Sequence, residues 1–126
     1  MNSVLHAFSV DVEDWYQSSY DFDAPISDLC VRNTHRVLRF LDAQGVRAPF
    51  FVQGLVACQY PQLVRDIASA NHEVQSHGYS HRPGCSIAPE EFRRELTETS
   101  ARLEDLAGKA ITGFRAPDFS IGERDF

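Results

Sequence analysis

The sequence predicts an α/β fold with parallel strands, on three observations. Strand-length apolar runs alternate with stretches of helical periodicity, in the order β-α-β-α-β-α-β. Such alternation implies right-handed crossovers between parallel neighbours. The first run, residues 4–12, places Val4, Leu5, Ala7, Phe8, Val10 and Val12 so densely that it reads as a strand buried on both faces. Finally, the chemically capable side chains follow strands rather than helices, and parallel sheets and barrels gather their chemistry at the carboxyl ends of strands.

The first strand ends in Asp11, Glu13 and Asp14, and then in a polar, turn-rich segment holding Trp15, Tyr16, Tyr20 and Phe22. Such a loop either caps a core or offers flat faces to a ligand. Ser27 is a candidate N-cap for a helix over about 27–44, with Leu29, Val37, Leu38 and Leu41 near helical spacing and Gly45 at the C′ position. Residues 48–53 form the second strand, with Pro49 near its start, where a missing donor is tolerated. Pro61 suits N1 of a second helix, whose buried stripe is Leu63, Val64, Ile67 and Ala68, closed by a left-handed Asn71. The third strand opens at His72. Pro89 then starts a long helix with Glu90 and Glu91 in its first turn, where the helix dipole favours acids. Its apolar face is Phe92, Leu96, Leu103 and Leu106, and Gly108 ends it. Residues 111–115 make a fourth short strand.

Length and composition fit one soluble domain over 1–126: 43% of residues are hydrophobic and 24% charged. A net charge of −6 without a Lys/Arg cluster argues against nucleic acid or an anionic membrane as partner. No apolar run approaches a membrane span, and the first residues do not read as a signal peptide. The cysteines, Cys30, Cys58 and Cys85, are odd in number and lack a C-x-x-C pairing, which suits a reducing cytoplasm. Cys30 and Cys58 read as small core residues and Cys85 as exposed. No neighbour marks any of them as an activated nucleophile.

The functional reading centres on residues 72–81, His-Glu-Val-Gln-Ser-His-Gly-Tyr-Ser-His. His77 and His81 are four apart, so both rings reach one point if the chain turns once between them. Two neutral imidazoles with a carboxylate make a Zn²⁺-type site with room for water. The acids follow strand one, the imidazoles strand three, and Arg115 and Asp118 strand four, so all should meet on one rim. A bound divalent ion activates water and polarises a carbonyl. A carboxylate off the metal takes the water's proton, and Arg115 keeps that base ionised and oriented. The sum is metal-assisted hydrolysis of an amide or ester.

Ser9-Val10-Asp11-Val12-Glu13-Asp14 resembles the T-F-D-D motif of the polysaccharide deacetylases, carbohydrate esterase family four. The stretch from His72 to His81 is similar to that family's G-H-E-[IV]-x-x-H-[ST]-x-[ST]-H, and Phe114-Arg115-Ala116-Pro117 to its F-R-x-P. The D-V-E-D form, with the aromatic loop, resembles the subgroup tied to bacterial exopolysaccharide clusters. The resemblance implies a distorted (β/α)7 barrel, of which this chain supplies the N-terminal portion, about four βα units. It implies removal of N-acetyl groups from an N-acetylhexosamine polymer, with Asp11 as general base, Arg115 orienting it, and His77 and His81 as metal ligands. The carboxylate ligand is read as Asp14, an aspartate like the family's, with Glu13 as the alternative on D-x-D spacing. Trp15 and Tyr16 suit stacking on sugar faces. Asp118 stands where the family has a tyrosine whose N–H helps form the oxyanion hole.

The later motifs, including the histidine that serves as general acid, would lie beyond Phe126. The chain thus reads as a C-terminally truncated deacetylase homology domain, with an open barrel edge available for self-association. Two other readings share these residues: a hydrolase of cyclic amides or formamides, and a catalytically impaired fragment that binds glycan or a partner.

Overall fold

The computed structural model describes residues 5–122. Three parallel strands, β1 (Val10–Val12), β2 (Pro49–Val52) and β3 (Glu73–Ser76), lie in the order β1-β2-β3. Their register pairs Val10 with Phe50 and Val12 with Val52, and Phe50 with Val74. The helices are α1 (Trp15–Ser19), α2 (Asp28–Ala43), α3 (Gly54–Gln59), α4 (Pro61–Ser69) and α5 (Pro89–Ala107). Phe50, Val52, Val56, Leu63, Val64, Ile67 and Leu103 form the fully buried centre between sheet and helices. The long helices run where periodicity puts them. Asn71 and Gly45 both adopt the left-handed conformation their positions call for, at φ 60° and φ 64°.

The departures have local causes. The first strand is shorter than 4–12: only Val10–Val12 pair, and Val4 lies outside the described residues. β2 begins at Pro49, so residues 5–9 have no ladder to join, and Leu5 and Phe8 stay exposed. The fourth strand shrinks to one parallel bridge, Ser76 to Phe114. The Gln75 side chain explains this, because its Oε1 takes the N–H groups of Thr112 and Gly113 that a strand would give to a neighbour. The short helices α1 and α3 are additions to the pattern. Within α2 the buried stripe is Cys30, Thr34, Leu38 and Leu41, and Leu29 is exposed. Ser27 sits at the N-cap of α2, but its hydroxyl bonds Asp14 instead of the helix. Cys30 is buried, which raises its thiol to about 12, whereas Cys58, expected in the core, is exposed like Cys85.

The loop after β3 is held from several sides. The first N–H groups of α3, on Gly54 and Leu55, donate to the carbonyls of Gly78 (2.8 Å) and Tyr79 (3.1 Å). Glycine at 54 is required by this approach, since a Cβ there would meet Tyr79 Cδ2 at 2.5 Å and Thr99 Oγ1 at 2.7 Å. From α5, Glu95 accepts the Ser80 hydroxyl at 2.7 Å and the N–H of Tyr79 at 3.3 Å.

Candidate metal centre

Along β1 the side chains alternate, so Asp11 and Glu13 leave on one side. β3 runs into His77, whose N–H still donates to Val52 O (3.1 Å) and so extends the β2–β3 ladder by one residue. Gly78 turns the chain at φ 72°, and His81 itself stands at φ 65°. A non-glycine residue in that left-handed region is uncommon and has to be held there. The two rings meet edge to face, with centroids 5.1 Å apart, and both are nearly fully buried.

Glu13 is the carboxylate that reaches them. Its Oε2 lies 3.0 Å from His77 Nε2 and 2.5 Å from His81 Nε2. One ligand atom from each of Glu13, His77 and His81 falls within 4.8 Å of the others. Asp14, read from the sequence as the ligand, is placed elsewhere. It is the N-cap of α1: Oδ1 accepts the N–H groups of Tyr16 and Gln17 at 3.0 Å each, and Oδ2 accepts the N–H and hydroxyl of Ser27. With both oxygens used and only 4% of the residue exposed, Asp14 has no free lone pair aimed at the imidazoles. The signal that could have found Glu13 is the period of two in Asp11-Val12-Glu13.

The residues fit a divalent ion on an internal test. His77 Nδ1 lies 2.8 Å from the Arg115 carbonyl, which can only accept, so Nδ1 carries the proton. The neutral ring then has its lone pair on Nε2, facing the Glu13 carboxylate. Two lone pairs at 3.0 Å repel unless a cation, a proton or a metal ion, lies between them. Two imidazole nitrogens and one carboxylate are a donor set for Zn²⁺ or a similar ion. Burial raises the Glu13 pKa, but hydrogen bonds from His77 and His81, and their charge, bring it down to about 2. Burial lowers that of His81, and the bond and charge of Glu13 and the charge of Asp118 outweigh it, so the net direction is up. The Ser18 carbonyl also favours protonated His81, although Nδ1 has no partner in good hydrogen-bond geometry.

Beside this cluster, Arg115 Nη1 binds Asp11 Oδ1 at 2.6 Å. Its second nitrogen reaches Ser9 Oγ at 2.9 Å, and its guanidinium stacks 4.0 Å over the Phe51 ring. Ser9, two residues before Asp11, was not among the sequence candidates. Trp15, Tyr16 and Tyr20 form an exposed aromatic cluster at the rim, with Trp15 and Tyr20 edge to face at 5.0 Å. Asp118 is exposed at φ 51°. Two of the three remaining histidines are engaged elsewhere, His72 buried against Phe50 and His35 bound to Asp66 at 2.9 Å between α2 and α4, and His6 is exposed.

A parallel α/β sheet with two imidazoles and a carboxylate converging beyond its strand ends belongs among the proteins equipped for metal-assisted chemistry. Comparison makes the assignment specific. A family profile described as polysaccharide deacetylase matches residues 19–124, which include His77, His81 and Arg115. The chain belongs to the polysaccharide deacetylase family. It is 33% identical over 84 residues to a peptidoglycan-N-acetylglucosamine deacetylase of Bacillus cereus, covering 67% of this chain and 30% of that protein. It is 28% identical over 90 residues to a chitin deacetylase of Pestalotiopsis, covering 69% of this chain and 30% of that one. The chain thus spans about a third of the length of these curated relatives. Among solved structures, a putative polysaccharide deacetylase of Mycobacterium smegmatis superposes with a TM-score of 0.76 at 30% identity, over 94% of this chain and 44% of that one. A pseudoenzyme of the same family from Bacillus anthracis, 21% identical, shares the fold at a TM-score of 0.72, over 93% of this chain and 37% of that one. The α/β fold is that of part of the family's (β/α)7 barrel.

Proposed function

We propose that this chain carries the metal-binding half of a deacetylase that removes N-acetyl groups from an N-acetylhexosamine polysaccharide, in the exopolysaccharide setting its D-V-E-D form resembles. The observation that carries this reading is the convergence of Glu13, His77 and His81 beside an Asp11–Arg115 pair. Glu13, His77 and His81 would hold the ion, most simply Zn²⁺. When bound, it supplies Lewis acidity, acidifying water and polarising the acetamide carbonyl. Asp11 takes the proton of the attacking water. Arg115 binds Asp11 and fixes its orientation, and Ser9 and Phe51 hold Arg115. Trp15 and Tyr16 offer flat faces to the sugar rings, and the exposed Asp118 supplies a backbone N–H to the developing oxyanion. Free thiols at Cys30, Cys58 and Cys85 suit a reducing cytoplasm.

No described histidine outside the cluster is placed as a general acid, so turnover should be about 10²–10⁴-fold below that of a relative that has one. The test is acetate release from N-acetylated chitooligosaccharides by the Zn²⁺-loaded chain, with and without the C-terminal half of a full-length relative. Weak release, enhanced by the added half and lost with the metal in a His77→Ala/His81→Ala variant, is expected. Unchanged metal content in that variant would refute the site.

A further inference from the structure

Gln17 is wholly buried in the short helix α1, whose Trp15, Tyr16 and Ser19 are exposed. Burying an amide is costly unless its donors and acceptor are paired. Here they are. Nε2 donates to the carbonyls of Phe22 (2.9 Å) and Ser80 (3.0 Å), and Oε1 accepts from Gln53 Nε2 at 2.8 Å. Its own N–H goes to Asp14 Oδ1 at 3.0 Å. One side chain therefore joins the segment that carries Glu13, the end of β2, and the loop that carries both histidines.

The bond to Ser80 matters most. The Ser80 carbonyl belongs to the peptide plane that precedes His81, and rotation of that plane about N–Cα is the φ angle of His81. His81 holds φ 65°, a left-handed value uncommon for a residue with a Cβ. The next residue of α1, Ser18, turns its carbonyl toward the His81 ring. The cap that starts α1 is Asp14, the neighbour of Glu13. Helix α1 thus reaches back from the carboxylate ligand to the backbone and ring of the second imidazole.

We infer that Gln17 is a positioning residue of the metal centre: it fixes the Ser80–His81 peptide so that His81 Nε2 meets Glu13 and His77. This rests on the metal-site reading above. Partners that orient metal ligands from behind typically change affinity 10–100-fold when removed. Gln59 serves as a comparison. It is also a glutamine bridging a loop, through the N–H and C=O of Ile26, but it touches neither histidine nor Glu13.

The experiment measures Zn²⁺ affinity of the full chain by competition with a chromophoric chelator, alongside thermal melting of the metal-free protein. Gln17→Met keeps the volume and removes the amide. Gln17→Glu keeps an acceptor for Gln53 but takes away both donors. Both variants should bind Zn²⁺ about 10–100-fold more weakly. Gln59→Met, at an exposed residue, should lose less thermal stability and stay within about threefold in affinity. Wild-type affinity in either folded Gln17 variant would overturn the inference, as would an equal loss in Gln59→Met. Should Gln17→Met fail to fold, Gln17→Glu decides. A wild-type chain that binds no Zn²⁺ overturns both this inference and the metal-site reading, whereas a wild type that binds and Gln17 variants that bind equally well overturn this one alone.

Discussion

Glu13 and Asp14 are adjacent carboxylates with different tasks, and exchanging each for its amide should separate them. Glu13→Gln removes the negative charge from a group whose pKa, raised by burial, is brought down to about 2 by the hydrogen bonds and charge of the two imidazoles it faces. A neutral amide oxygen is a poor replacement, so Zn²⁺ affinity should drop by at least about 100-fold, beyond the upper end for losing a supporting partner. The fold should suffer little, because Glu13 makes no backbone hydrogen bond among those described. Asp14→Asn should do the reverse. One amide oxygen can still cap Tyr16 and Gln17, but the new NH₂ would face the Ser27 N–H, donor against donor, in a site only 4% exposed. A weakened cap and an unpaired buried donor together cost about 2–4 kcal/mol. For a chain of this size that is a fall in melting temperature of roughly 10 °C. Calorimetry of the metal-free proteins and chelator competition for Zn²⁺ give the two readouts. A Glu13→Gln protein that keeps its metal while Asp14→Asn loses it, with both melting normally, would refute the placement of the carboxylates.

Three further outcomes follow from the same geometry. His72 is 2% exposed, accepts the Ala48 N–H at 3.2 Å, and has its pKa lowered by burial and then by the Arg47 charge, so its contribution is in place above its unfolded pKa near 6.5 and is lost as pH falls below it. Urea unfolding at pH 7.5 and 5.5 should show a wild-type decline, up to about 1.4 kcal/mol per pH unit, that His72→Phe lacks; equal pH dependence in the two would refute it. Arg115→Lys keeps the charge but loses the two-pronged hold on Asp11 and Ser9, so deacetylation should slow by about tenfold or more at unchanged metal content; unchanged kcat would show that orientation of Asp11 is immaterial. Leu5 and Phe8 are exposed beside the edge strand β1, so sedimentation velocity should show concentration-dependent self-association; a monomer at all concentrations would remove that expectation.

The sequence made the architecture legible wherever hydrophobic period and punctuation agreed. α4 and α5 begin at their prolines, and β3 covers the stretch ahead of the histidines. It was less informative where side chains replaced backbone as hydrogen-bond partners. Gln75 takes the N–H groups of Thr112 and Gly113, and no pattern of apolar residues announces that a glutamine will stand in for a strand. α1 was hidden for a related reason. It is held by Asp14 at its start and Gln17 in its interior, both polar, so the segment reads as loop. The imidazoles became readable only when their spacing was joined to the strand before them and the polar clusters after the other strands; Gly78 permits the turn between them. Choosing between Glu13 and Asp14 needed one more step, the alternation of β1, and family likeness to an aspartate pulled the choice the other way.

That choice bears on how the centre is built. A glutamate is one methylene longer than an aspartate, so Glu13 can reach both imidazoles from the end of a three-residue strand. The next position is thereby released from ligation and becomes the anchor of α1 and of the start of α2 through Ser27. Asp14 then draws stability from four hydrogen bonds that favour its charged form and hold its pKa below the usual carboxylate range, although burial alone would raise it. One carboxylate thus faces the metal site while its neighbour ties down the helix whose glutamine reaches Ser80. The arrangement couples the aromatic loop to Glu13, since Trp15 and Tyr16 ride on the helix that Asp14 caps and Tyr20 closes it.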